Sequence, residues 1–145
     1  MQLEFSPQYF MWLTSMTTSL FFYAWPITLT LVALTGFCWF NWAKATAKPK
    51  LNWGWLLGVC SIALIILLYG TLHRAGKNWK PRPYSELASY IVSGFLITQL
   101  CLSGMVIHRS NRGARLVSIS VLVWGLYLSL SASFITLMSV SGQWL

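Results

Sequence analysis

Few residues in this chain have side chains suited to chemistry. His73 and Glu86 bracket a short polar run that also holds Arg74, Lys77, Lys80 and Arg82. Such cations would hold a phosphate through charge-assisted hydrogen bonds, with His73 as general base, the pattern of a lipid-phosphate-processing enzyme. The competing reading is a solvated loop facing lipid headgroups. It is the better one, because an acid–base site needs its groups oriented from more than one loop.

The second histidine does not help. His73 closes one long apolar stretch and His108 closes the next, so antiparallel crossings would put them on opposite membrane faces, about 30 Å apart. Within one chain they cannot jointly ligate a haem iron. A single-histidine cofactor shared with another subunit is the arrangement left, and no cofactor held by this chain alone is expected. Cys38, Cys60 and Cys101 lie inside apolar stretches, form no CxxC pair and are odd in number, which points to neither a disulfide framework nor a zinc site. They read as small apolar residues.

Gln99 is the one strongly polar side chain near the middle of an apolar stretch. An amide there is expected to clasp a Ser or Thr hydroxyl on a neighbouring helix, and a contact to a ligand or quinone-like headgroup is the weaker alternative. No Asp occurs anywhere, and Glu4 and Glu86 are the only acids. No Asp, Glu, Lys or Arg lies within any long apolar stretch, so proton- or ion-coupled transport lacks its usual coupling group. HExxH, GxSxG, glycine-rich nucleotide loops and paired carboxylates are all missing. An enzyme is not expected.

These residues are spaced by four uncharged apolar stretches, 26–42, 53–72, 87–107 and 116–140. Three reach or exceed the roughly 20 residues that cross a ~30 Å hydrocarbon core, and the first lies at the short end of the spanning range. Residues 7–23 are ambiguous. Ser6 then Pro7 is a helix start, serine capping and proline at the first helical position. Tyr9, Leu13, Met16, Leu20 and Tyr23 recur at helical spacing, while Thr14, Ser15 and Thr18 share another face. A single helix over 7–42 would be about 54 Å long, too long to stand upright in a bilayer. The expectation is an interfacial or kinked amphipathic helix that breaks near Pro26, before four transmembrane helices. The fold class is therefore an all-α membrane protein, one integral membrane domain over 1–145.

Composition says the same. Of 145 residues, 8% are charged and 57% hydrophobic. Ordinary soluble domains carry about 25% charged residues, so lipid must serve as solvent for much of this surface. The formal net charge is +8, all of it from cations in the connections and at their edges. Nucleic-acid binding would need a folded basic face, which no segment is long enough to make. Anionic headgroups are the natural partners, and Arg74, Lys77, Lys80, Arg82, Arg109, Arg112 and Arg115 are candidate contacts for them or for a partner protein. No basic residue precedes the first apolar stretch, so no cleaved secretory leader is expected.

Trp25, Trp39, Trp42, Trp53, Trp55, Trp79, Tyr84 and Trp144 lie near the ends of the apolar stretches, as an aromatic belt requires, whereas Trp124 and Tyr127 sit deeper as packing residues. Lys44, Lys48, Lys50, Arg109, Arg112 and Arg115 fall on one side, six cations against the four of the middle connection. By the positive-inside rule the larger set is cytoplasmic and both termini lie outside, in a bacterial inner membrane. Small residues are expected to mark close helix approaches: Gly54 and Gly58 as a GxxxG, and Gly125 with Ser129 on the last span. A non-catalytic accessory or partner-binding subunit of a larger membrane complex accounts best for all of this. A homo-oligomeric passive channel or small-solute carrier is the alternative, and the phosphate-processing enzyme stands third.

Overall fold

A computed structural model describes residues 6–44, 51–73 and 85–142, and every described element is a helix. The helices are α1 (Pro7–Tyr23), α2 (Trp25–Lys44), α3 (Trp53–Cys60), α4 (Ile62–Leu72), α5 (Ser85–Arg109) and α6 (Arg112–Ser141). Four of the resulting rods are long and apolar enough to cross a membrane: α2, α3 and α4 taken together, α5 from Glu86, and α6 from Ala114. Arg74, Lys77, Lys80 and Arg82, and with them Lys48, Lys50, Trp79, Tyr84 and Trp144, lie outside the described residues.

The ends of the helices follow local rules. The Ser6 hydroxyl accepts from the Tyr9 N–H at 3.4 Å and Pro7 opens α1, where its missing N–H costs nothing. Gly142 closes α6 with φ +72°, a left-handed conformation that glycine adopts without strain, and its N–H returns to the Met138 carbonyl. Between α1 and α2 the chain bends at Ala24. Pro26 cannot donate to Phe22, which opens the hydrogen-bond ladder at that point. The Thr28 hydroxyl reaches into the opening, 3.0 Å from the Phe21 carbonyl and 3.2 Å from that of Ala24. A milder break at Ser61 separates α3 from α4, where the Leu64 N–H turns to the Ser61 carbonyl.

Helix α6 is the centre of the bundle, and each of the other five helices packs on it. Its small residues make this possible, because lipid supplies no hydrophobic drive between helices and close backbone approach must replace it. A Cβ at Gly125 would meet Cys60 Sγ at 2.5 Å, and one at Gly70 would meet Thr136 Oγ1 at 2.8 Å, so α3 and α4 lie nearly backbone to backbone with α6. Thr136 donates to the Ile66 carbonyl at 3.0 Å and Ser139 to that of Gly70 at 3.1 Å. These pairs rise together in number, so the α3–α4 rod runs parallel to α6, while α5 returns antiparallel through the tight turn at Ser110–Asn111.

Helix α1 lies lengthwise on α4 and α6. Tyr9 Oη is 2.8 Å from Ser139 Oγ at one end, and Phe21 packs on Tyr127 and Trp124 at the other. Leu13 joins Ile62, Ile66, Val92, Ala132 and Ile135 in the larger core cluster. Of the apolar residues at helical spacing, Leu13 is buried and Tyr9 and Leu20 pack against the core, with Thr17 buried beside them, while Met16 and Tyr23 are exposed. The hydroxyls of α1 do not form a free polar face. Thr14 donates to the Phe10 carbonyl, and Thr18 and Ser19 to that of Ser15. Deeper in the bundle, Trp124 donates to Thr35 at 2.8 Å, which ties α2 to α6.

Candidate functional site

The bundle has two polar ends. At one, α1 and α5 begin and α4 and α6 finish. At the other, α2 and α5 finish and α3 and α6 begin. The first end holds His73 and Glu86. His73 closes α4, its Nδ1 3.2 Å from the Tyr69 carbonyl and its ring stacked on Tyr69 at 4.3 Å. Glu86 is exposed in the first turn of α5, where a negative charge opposes the helix dipole. No hydrogen bond or ion pair joins the two among the described residues. His73 is thus engaged with its own helix end, and no acid–base pair is assembled there. His108 is exposed near the end of α5, at the other end of the bundle.

That second end carries the developed feature, a cavity of about 640 Å³ between the starts of α3 and α6 and the end of α5. Its polar rim is Asn52, Arg109, Ser110, Asn111 and Ser118, and its walls are Leu51, Trp55, Leu102, Met105 and Val106. The volume falls within the range of about 300–1,000 Å³ typical of small-molecule sites. Asn52 and Asn111 occupy the N-cap positions of α3 and α6, yet neither side chain makes a capping hydrogen bond, so both amides are left for other partners. Ser110 donates to the Val106 carbonyl at 2.7 Å, and its oxygen lies 3.2 Å from that of Ser118, which fixes the inner rim. Lys44 finishes α2 at the same end with its ammonium 4.1 Å from the Phe40 ring centroid, and Arg112 and Arg115 stand exposed in the opening turns of α6. Trp39 packs on Trp42 and Trp53 here, with centroids 5.6 and 6.0 Å away, which gathers three of the tryptophans from the ends of the apolar stretches at this end of the bundle.

Of the seven basic residues expected to meet headgroups, Arg109, Arg112 and Arg115 gather at this end, and only Arg109 lines the cavity. Asn52, Asn111 and Trp55 were not anticipated as a group. They look like ordinary connection and belt residues until the fold brings them beside Arg109.

Gln99 is fully buried in α5, and neither its Nε2 nor its Oε1 has a hydrogen-bond partner. The expected clasp to a neighbouring hydroxyl is not made among the described residues, and several buried hydroxyls donate within their own helices instead. Ser129 donates to Gly125, Ser133 to Ser129 and Thr71 to Leu67, each to the carbonyl four residues earlier. Gly125 and Ser129 are buried against the bundle, but Gly54 and Gly58 are exposed, and a Cβ at Gly58 would meet nothing within 4 Å. The GxxxG therefore packs against none of the described helices.

The outward face of α5 mixes small and large side chains. Gly94, Thr98 and Cys101 follow one exposed line that also carries Tyr90 and Met105, with Ile97 and Gly104 beside it, and a Cβ at either glycine would meet nothing within 4 Å. Helix α2 turns Ile27, Leu29, Val32, Leu34, Phe37 and Phe40 outward, with Thr30, Ala33 and Gly36 exposed between them. Among the described residues no three His, Cys, Asp or Glu side chains converge as a metal site would require. Set against family models, curated proteins and solved structures, the chain matches none of them.

Proposed function

We propose that this chain is a non-catalytic integral subunit of a larger membrane assembly, and that α5 is the helix it presents to its partner. The observation that carries this reading is the outward line of α5, where Gly94, Thr98 and Cys101 leave a shallow notch between the exposed Tyr90 and Met105 that a partner's helix can enter. Small residues gain nothing from facing acyl chains, but they allow a second helix to come near enough for extensive dispersion contact. The uncharged spans support the same reading, because none of them holds an Asp, Glu, Lys or Arg to couple transport to an ion or proton. With six cations against four, we place the Arg109 end in the cytoplasm of a bacterial cell, the membrane being the inner one.

Extraction in a mild detergent followed by native mass spectrometry tests the proposal. The expected result is a companion protein at fixed stoichiometry that is shed from the Gly94→Leu, Gly104→Leu double variant, with the variant's melting temperature unchanged. A chain recovered only as its own oligomer, conducting ions when placed in liposomes, would instead support the channel reading.

A further inference from the structure

We propose that the cavity between α3, α5 and α6 binds a single anionic phospholipid, its phosphate on Arg109 and its glycerol and upper acyl chain along Trp55, Leu102 and Val106. Charge is the first argument. The chain's acids are Glu4 and Glu86, and Glu86 is twenty-three residues from Arg109 on the same helix, about 35 Å away. Among the described residues Arg109 has no ion pair, and Arg112 and Arg115 add to the positive field around it. With ten Lys and Arg against two acids in the sequence, most of the counter-charge must come from outside the chain.

Donors converge on the same spot. The Asn52 and Asn111 side chains make no capping hydrogen bond at the starts of two helices, and although the Trp53 N–H turns back to the Leu51 carbonyl, the positive ends of those helices favour an anion. A guanidinium fork with two amides suits the several acceptor oxygens of a phosphodiester.

The walls decide between a lipid and a soluble anion. From Arg109 to Leu102 the cavity descends two turns of α5, about 10 Å, past Met105 and Val106. Trp39, Trp42 and Trp53 mark headgroup depth at this end, so the apolar part lies where acyl chains begin. A free phosphate would leave those walls unused. The ligand chemistry is therefore an anionic head with an apolar tail. The inference stands on the cavity alone and does not depend on α5 having a partner protein.

The full-length protein in mild detergent, titrated with phosphatidylglycerol, phosphatidylcholine or inorganic phosphate and followed by native mass spectrometry, provides the test. One phosphatidylglycerol per chain is expected to bind, in preference to phosphatidylcholine, and millimolar inorganic phosphate is expected neither to bind nor to displace it. Arg109→Gln is expected to weaken phosphatidylglycerol by about fivefold or more, which is what one basic residue near an anionic surface contributes. Arg115→Gln, which removes the same charge outside the cavity, is expected to change binding by less than about twofold. Met105→Trp keeps every charge and narrows the wall, and it too is expected to weaken the lipid. Equal binding of the two lipids, equal losses from Arg109→Gln and Arg115→Gln, an unaffected Met105→Trp variant, or displacement by inorganic phosphate would each overturn the assignment. A melting curve for each variant separates lost binding from lost folding.

Discussion

Gln99 is the residue at which the chain gives up stability. A buried amide with no partner costs about 1–3 kcal/mol, and both polar atoms of this one are unpaired. Gln99→Leu is therefore expected to raise the stability of the isolated chain by about 1 kcal/mol or more, read as thermal unfolding in detergent. A fall would mean that the amide finds a hydrogen bond in the lipid-embedded state. Glycines give a paired test. Gly125→Ala forces a methyl group against Cys60 and is expected to cost about 1–3 kcal/mol. Gly58→Ala meets open space and replaces a poor helix former, so it is expected to be neutral or slightly stabilising, by up to about 1 kcal/mol. Equal effects in the same unfolding assay would contradict the packing at Cys60. Sequence pattern alone could not rank these glycines. Gly54 and Gly58 have the familiar spacing, whereas Gly70 has no small residue four positions to either side and still sits flush against Thr136.

Among the elements, the helices were largely legible because each needs a long uncharged stretch to satisfy its backbone in hydrocarbon. Their ends were less so. Helix α5 runs over Ser85–Arg109 and α6 over Arg112–Ser141, beyond the uncharged 87–107 and 116–140, because long basic side chains reach the headgroups from inside the terminal turns. The rim of the cavity was illegible, since Asn52, Arg109 and Ser118 come from three separate stretches with no shared spacing. Helix α1 makes its own prediction. Ser139 and Tyr127, the contacts of its two ends, are twelve residues apart on α6, so α1 reaches about 18 Å along the bundle, more than half of a ~30 Å core. In a variant freed of its native cysteines, Phe22→Cys is expected to resist a water-soluble maleimide and to react with a lipid-soluble one. Ready labelling from water would return α1 to the membrane surface.

For the molecule as a whole, the two polar ends fix a testable orientation. Asn52→Cys and Asn111→Cys are expected to be labelled from the cytoplasmic side only, and Glu86→Cys from the opposite side only, in sealed vesicles of known polarity. The reverse pattern would invert the proposed topology while leaving the bundle intact. The arrangement around α6 also bears on biogenesis. Every other helix rests on it, yet it is the last of the described helices to leave the ribosome. Until it arrives, α1 to α5 lack their shared packing partner and keep only lesser contacts, chiefly those of α1 with α4 and of α5 with α3 and α4. Tertiary assembly is thus expected to be completed only at the close of synthesis, and a chain truncated before residue 112 is expected to be far more sensitive to protease than the full-length one.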